Sequence, residues 1–417
     1  MNGFGWVVVA LIAARLLAQL LLDRLNRRHV LAHALAVPPP LVGIINDTAY
    51  AQSVQYTLAR NRLHSVELIF DAVVLLICLF SGVLPWLLEC ITQSLGPAPW
   101  SLAVFLLVAG IGVSLTGLPF SWYTQFRLEE RFGFNTMTQG LWLLDLLKGF
   151  ALAGILGFPL TWLLLKVAHW TGAYWWLWAW GTLIGFQLLM MVLGPALILP
   201  LFNKFAPLPE GSLRDKLLEL AKRTEFAARS IQVMDGSKRS RHSNAFFTGF
   251  GRLRKIVLFD TLIQQLNETE LQAVLAHEIG HYKHGHIVKL LAVSALTTLA
   301  GFAALNYFSQ QPWFYTAFDF TPGKLGPALL LFVLLSGLVT FWFSPLTHAW
   351  SRRHEYEADA FAAAAMSDPQ PLTQALRKLN EKNLGNLTPH PLYSGFYYSH
   401  PTLIEREAAL TAGRVAP

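Results

Sequence analysis

Seven runs of apolar residues, each long enough to cross a lipid bilayer, restrict this 417-residue chain to a membrane fold. About 20 consecutive apolar residues span the hydrocarbon core as a helix, since backbone N–H and C=O groups find no water there. The runs lie at 4–22, 66–88, 100–120, 141–165, 174–200, 287–309 and 325–347. The sixth is the most dilute, with Lys289 and several Ser and Thr residues inside it. Composition agrees: 54% of residues are hydrophobic and 14% charged, where a soluble chain carries roughly 25% charged residues. The first run has neither the basic flank nor the small-residue cleavage site of a signal peptide, so it is expected to remain as a spanning helix.

The basic residues say how those helices are oriented. Of 32 Lys and Arg, segments 23–65, 121–140, 201–286 and 348–417 hold 5, 2, 13 and 7, while the opposite side holds only Lys166 and Lys324. Seven spans with the N terminus outside and the C terminus in the cytoplasm reproduce this positive-inside asymmetry. The net charge of +7 is therefore a topology signal, and nucleic acid is not expected as a partner. The two cysteines, Cys78 and Cys90, cannot build a disulfide framework, so a metal site must draw on His and carboxylate ligands.

The predicted fold class is a mostly α membrane protein, about seven transmembrane helices with a small cytoplasmic α+β domain. Residues 1–200 would carry five spans, 201–286 a cytoplasmic part, 287–347 two further spans, and 348–417 a cytoplasmic end. Within 201–286 the pattern predicts an amphipathic helix on Leu213, Leu217, Leu218, Leu220 and Ala221. Strands at Ile231–Met234, Asn244–Thr248 and Lys255–Phe259 should follow. No internal repeat is visible.

The chemistry is carried by His277-Glu278-Ile279-Gly280-His281. Residues four apart share a helix face, so the two imidazoles can bind one ion while Glu278 is placed as general base. Thr269 and Gln272 offer a capping box for that helix, and Leu271, Val274, Leu275 and Ile279 an apolar stripe. A third histidine ten residues after the first is excluded, because Ile287 occupies that place. The alternative is a carboxylate from His354-Glu355-Tyr356-Glu357-Ala358-Asp359-Ala360. Glu355 and Asp359 share a face, so Glu355 can ligate while Asp359 holds a ligand imidazole. Glu357 points elsewhere and is expected in solvent. His284 is expected as a pocket or interface residue rather than a ligand. Asp145, Lys148, Glu67, Asp71 and Arg15, in or near spans, would face a wet chamber or one another.

With these motifs in place, the chain resembles the integral-membrane CAAX prenyl endoproteases, zinc metallopeptidases that cleave prenylated C-terminal peptides. The likeness rests on Glu130-Arg131-Phe132-Gly133-Phe134-Asn135, Ser243-Asn244-Ala245-Phe246-Phe247, His277–His281, Ser351–Ala360 and Tyr398-Ser399-His400-Pro401, which extend over nearly the whole chain. The resemblance implies seven helices around a water-filled chamber. It also implies one Zn2+ on His277, His281 and Glu355, Glu278 as base and Asp359 as orienting carboxylate. It further implies His400 as a stabiliser of the tetrahedral intermediate and Asn244 as a substrate contact on an edge strand. The expected partners are a peptide or protein substrate, with its lipidation open, and the lipid bilayer. The chain ends in Gly413-Arg414-Val415-Ala416-Pro417 without an endoplasmic-reticulum retention signal, so a bacterial inner membrane is expected, and the charge asymmetry puts the site towards the cytoplasm. The rival readings are a heat-shock-type membrane quality-control zinc protease and a transporter with structural zinc. A transporter should show repeated halves and broken helices, which this sequence does not.

Overall fold

The computed structural model describes residues 2–226, 230–248 and 255–413, so 414–417 of the terminal segment discussed above lie outside it. Among the described residues, seven helical segments are long and apolar enough to span a bilayer: Gly3–Ala32, Asp47–Phe80, Pro99–Thr116, Gln139–Trp170, Gly172–Phe202, His286–Phe308 and Leu325–Met366. At most 22% of the most apolar window of any of them is buried. A solid bundle would bury the inner face of each helix; these helices instead form the wall of a chamber.

The second span differs most from expectation. It begins near residue 47 rather than 66, because its polar first half is buried through Tyr50, Ser53, Tyr56 and Asn61 rather than exposed to lipid. It ends at Ser81-Gly82, not 88; Gly82 adopts φ +78°, and a separate helix, Val83–Leu95, follows. The last span runs on well beyond its apolar part. After a tight turn at Phe341–Phe343 it continues as Ser344–Met366, which lifts Glu355 and Asp359 out of the apolar stretch. At one end of the bundle Leu79, Leu84, Phe105, Phe314, Tyr315 and Phe318 close an apolar cap.

At the other end sits a four-stranded sheet: β1 (Phe205–Pro207), β2 (Ser230–Met234), β3 (Ala245–Thr248) and β4 (Lys255–Phe259), in the order β1-β2-β4-β3. β2 and β4 are parallel and the other pairs antiparallel, with Ala245 opposite Leu258. β3 is therefore an edge strand. The sequence reading missed β1, whose three residues end in a proline and carry no alternation. Beneath the sheet, Leu217 and Leu220 of the amphipathic helix Ser212–Arg223 pack with Leu262, Leu271, Leu275 and Ile279. The motif helix is Glu268–Lys283. Its cap is Asn267 with Glu270, not Thr269 with Gln272: Asn267 Oδ1 accepts from the Glu270 N–H and Glu270 Oε2 from the Asn267 N–H, both at 2.9 Å. The capping-box pattern therefore lies two residues earlier than Thr269 and Gln272.

Candidate active site

The motif helix and the helix Ser344–Met366 cross at Gly280, where a Cβ would come within 2.9 Å of Ala358 Cα. This glycine permits the approach that brings Glu355 to the two histidines. His277 Nε2 and His281 Nε2 are 3.2 Å apart; Glu355 Oε2 is 3.5 Å from the first and Oε1 3.3 Å from the second. On its far side His277 Nδ1 meets Asp359 Oδ1 at 2.8 Å. With the proton of the neutral ring held there, the Nε2 lone pair would face the centre and be free for a cation. Glu355 Oε2 is buried without a hydrogen-bond partner. Convergent lone pairs around an unpartnered carboxylate oxygen fit a cation, and the donor set of two imidazoles and a carboxylate suits a transition metal. In the metal-free chain burial works against the His277 imidazolium. The Asp359 and Glu355 carboxylates on either side of the ring outweigh it and lift its pKa to about 9.

A cleft of about 420 Å³ opens over this cluster, with Asn244 and Ala245 at the start of β3 on one side and Glu278 and His400 beside the cluster. Burial pushes the Glu278 carboxyl above its ordinary value, with the neighbouring histidines pulling the other way. That is the direction a general base needs. His400 is exposed to the cleft, its Nε2 3.5 Å from Glu355 Oε1 and its Nδ1 3.0 Å from Ser399 Oγ. Asn244 is exposed; its Oδ1 accepts from the Ala245 N–H and its carbonyl from Phe259.

Two family comparisons divide the chain between them. Residues 26–204 match the family described as CAAX prenyl protease N-terminal, five membrane helices, and residues 207–413 match peptidase family M48. The chain belongs to peptidase family M48. A CAAX prenyl protease 1 homolog of Oryza sativa is 36% identical over 92% of each chain, and the human homolog 31% identical over 92% of this chain and 90% of its own. The crystal structure of S. mikatae Ste24p superposes with a TM-score of 0.90 at 33% identity, covering 98% of this chain and 99% of the other. The protein is thus a membrane metallopeptidase resembling the CAAX prenyl endoproteases. Neither the quality-control reading nor the transporter reading gains support from these matches.

In this M48 chain several further residues complete the site. Arg406, absent from the sequence reading, is buried and clamps Asp359 with Nε–Oδ2 at 2.8 Å and Nη2–Oδ1 at 2.5 Å. A signal for it existed: Thr402 and Glu405 form a capping box for helix Leu403–Ala412, which buries Leu403, Arg406 and Leu410 on one face. Arg352 holds the His400 loop through the carbonyls of Gly395 (3.2 Å) and Tyr398 (2.7 Å). Glu357 is not solvated as expected. Its Oε2 lies 3.0 Å from Nε2 of buried His286, because the start of the sixth span packs against that side of the helix. His284 is exposed at the end of the motif helix, its ring stacked 5.6 Å from His286.

The Glu130–Asn135 block docks the bundle onto the loop before Asn244. Phe134 stacks on His242 at 4.1 Å, its carbonyl accepts from the Arg241 N–H, and Asn135 bridges Ser240. Next to the block, Glu129 accepts from Tyr56 Oη (2.6 Å) and pairs with His242 Nε2 (3.2 Å). Of the charges within spans, Asp145 takes a two-point ion pair from Arg239 in this same loop, at 2.8 and 3.1 Å, and Lys148 donates to the Leu201 carbonyl. The partner of Asp145 thus comes from the sheet domain rather than from another span.

Proposed function

We propose that the chain is a zinc-dependent endopeptidase of the cytoplasmic membrane, with its site on the cytoplasmic side, acting on C-terminal peptides that include prenylated ones. The observation that carries this is the convergence of His277, His281 and Glu355, with its unpartnered oxygen, at the floor of a cleft edged by an open β-strand. The division into membrane parts (1–200 and 287–347) and cytoplasmic parts (201–286 and 348–417) belongs to the same reading. So does a bacterial inner membrane as its location. Charge distribution supports the orientation, and the names of the relatives support the prenylated substrate.

His277, His281 and Glu355 would hold the ion. When bound, zinc would polarise the scissile carbonyl and lower the pKa of water towards about 7. Asp359 keeps the Nδ1 proton of His277 in place, and Arg406 keeps Asp359 ionised and oriented. A peptide pairs by its main chain with the open edge of β3, where Asn244 contacts it. Glu278 takes the proton of the attacking water and passes it to the leaving amine as the C–N bond breaks. His400 donates a hydrogen bond to the oxyanion, a contribution of a few kcal/mol, about 2.7–4 where such donors have been removed.

Glu278→Gln should retain fold and metal while turnover of a peptide by the purified protein drops about 10²–10⁴-fold; near-normal turnover would refute the assignment. A farnesylated C-terminal peptide should be cleaved faster than its unmodified form, and equal rates would remove the prenyl preference while leaving the peptidase.

A further inference from the structure

We propose that His286 and Glu357 form a polar relay that orients His281, doing for the second metal-facing histidine what Asp359 and Arg406 do for the first. The proposal rests on the reading of His277, His281 and Glu355 as zinc ligands.

Its geometry is specific. His281 Nε2 faces the cluster, at 3.2 Å from His277 Nε2 and 3.3 Å from Glu355 Oε1. Its other nitrogen, Nδ1, lies 2.9 Å from His286 Nδ1, and His286 Nε2 lies 3.0 Å from Glu357 Oε2. Glu357 Oε1 in turn accepts from Arg353 Nε at 3.3 Å. With a ligating lone pair on His281 Nε2, its proton is on Nδ1 and donates to His286. His286 must then carry its own proton on Nε2 and give it to Glu357. One neutral tautomer of each ring satisfies every atom along the line. A ligand imidazole with its second nitrogen so engaged is fixed in tautomer and ring plane.

The relay is built in, not incidental. His286 is 2% exposed and its ring lies 3.9 Å from that of His354, nearly parallel. It is also the first residue of the sixth span, entered through Gly285 at φ +66°, so the seating of that span sets where the His281 ring points. His286 and Glu357 reach the cluster only through His281 Nδ1 and are positioning residues.

Two substitutions at one position separate a relay from mere packing. In His286→Gln the amide oxygen can accept from His281 and the amide N–H can donate to Glu357. In His286→Phe the ring can still stack on His354, but the line is cut. The readouts are zinc affinity by chelator competition on the purified full-length protein and the visible spectrum of its Co2+-substituted form. His286→Phe and Glu357→Ala should bind zinc about 10–100-fold more weakly, with an altered cobalt spectrum, while His286→Gln stays within about threefold of the parent. Retained affinity in His286→Phe, or equal loss in Gln and Phe, would overturn the relay. Should His286→Phe not fold, Glu357→Ala decides, since it keeps both rings; unchanged zinc affinity there is equally fatal. A parent chain that holds no zinc would defeat the ligand reading itself, a result distinct from any of these.

Discussion

At the scale of single residues, the site depends on contacts that tolerate little change. Gly280→Ala puts a methyl group 2.9 Å from the Ala358 backbone, which cannot rotate away as a side chain could. The two helices must separate, and with them Glu355 from the histidines. We expect metal binding to fall more than global stability, which chelator competition beside a thermal melt would reveal. Arg406 is a similar case. Arg406→Ala leaves Asp359 buried without its cation, a loss of about 3–5 kcal/mol for breaking a buried pair, read in thermal or denaturant unfolding. Arg406→Lys keeps the charge but not the fork, and should lie between. The titration of His277 gives a pH signature for the metal-free chain. Its pKa rises from 6.5 unfolded to about 9 folded, so its charged contacts stabilise fully below 6.5 and are lost as pH climbs through 9. Melting temperature of the chelated protein should therefore decline between those limits; a flat profile would contradict the Asp359 and Glu355 contacts.

At the scale of elements, what the sequence reveals depends on whether an element's partner is written into its own pattern. The His277–His281 spacing and the Glu355–Asp359 spacing both follow from helix phase, so their placement on facing helices could be read in advance. Glu357 could not. It lies about 200° around the helix from Glu355, and only the arrival of His286 on that side makes it a half-buried partner rather than a solvated charge. Arg406 was hidden for the same reason, 47 residues from Asp359 in sequence. The start of the motif helix shows a different limit: Asn267 and Thr269 both satisfy the composition of a cap, and geometry alone chooses. That choice has a consequence. Glu270 both closes the box and, 1% exposed, takes Lys378 at 2.6 Å, tying the motif helix to helix Gln370–Lys382. Asn267→Ala should destabilise by about 1 kcal/mol, as caps do, read in denaturant unfolding.

For the whole molecule, the count of seven spans was legible because a bilayer imposes it: length and apolarity must suffice without help from neighbours. The join between membrane bundle and sheet was not, since it is made of polar residues that look like loop. Phe134, Asn135 and Asp145 from the bundle grip Ser240, Arg241, His242 and Arg239, the loop that leads directly into Asn244 and the open strand β3. If a peptide pairs with that strand as proposed, its alignment depends on an ion pair anchored in the fourth span. Asp145 and Arg239 are 15% and 19% exposed, so breaking the pair should cost less than the full burial penalty, on the order of 2 kcal/mol. The loop leads into the strand proposed to hold the peptide, and among the described residues none of its ion-pair or stacking contacts is to Glu278. Asp145→Asn should accordingly raise KM several-fold with little change in kcat. The exchange Asp145→Arg with Arg239→Asp should recover part of that loss if the pair acts as a unit. A fall in kcat at constant KM would mean instead that the loop sets the catalytic groups and not the peptide.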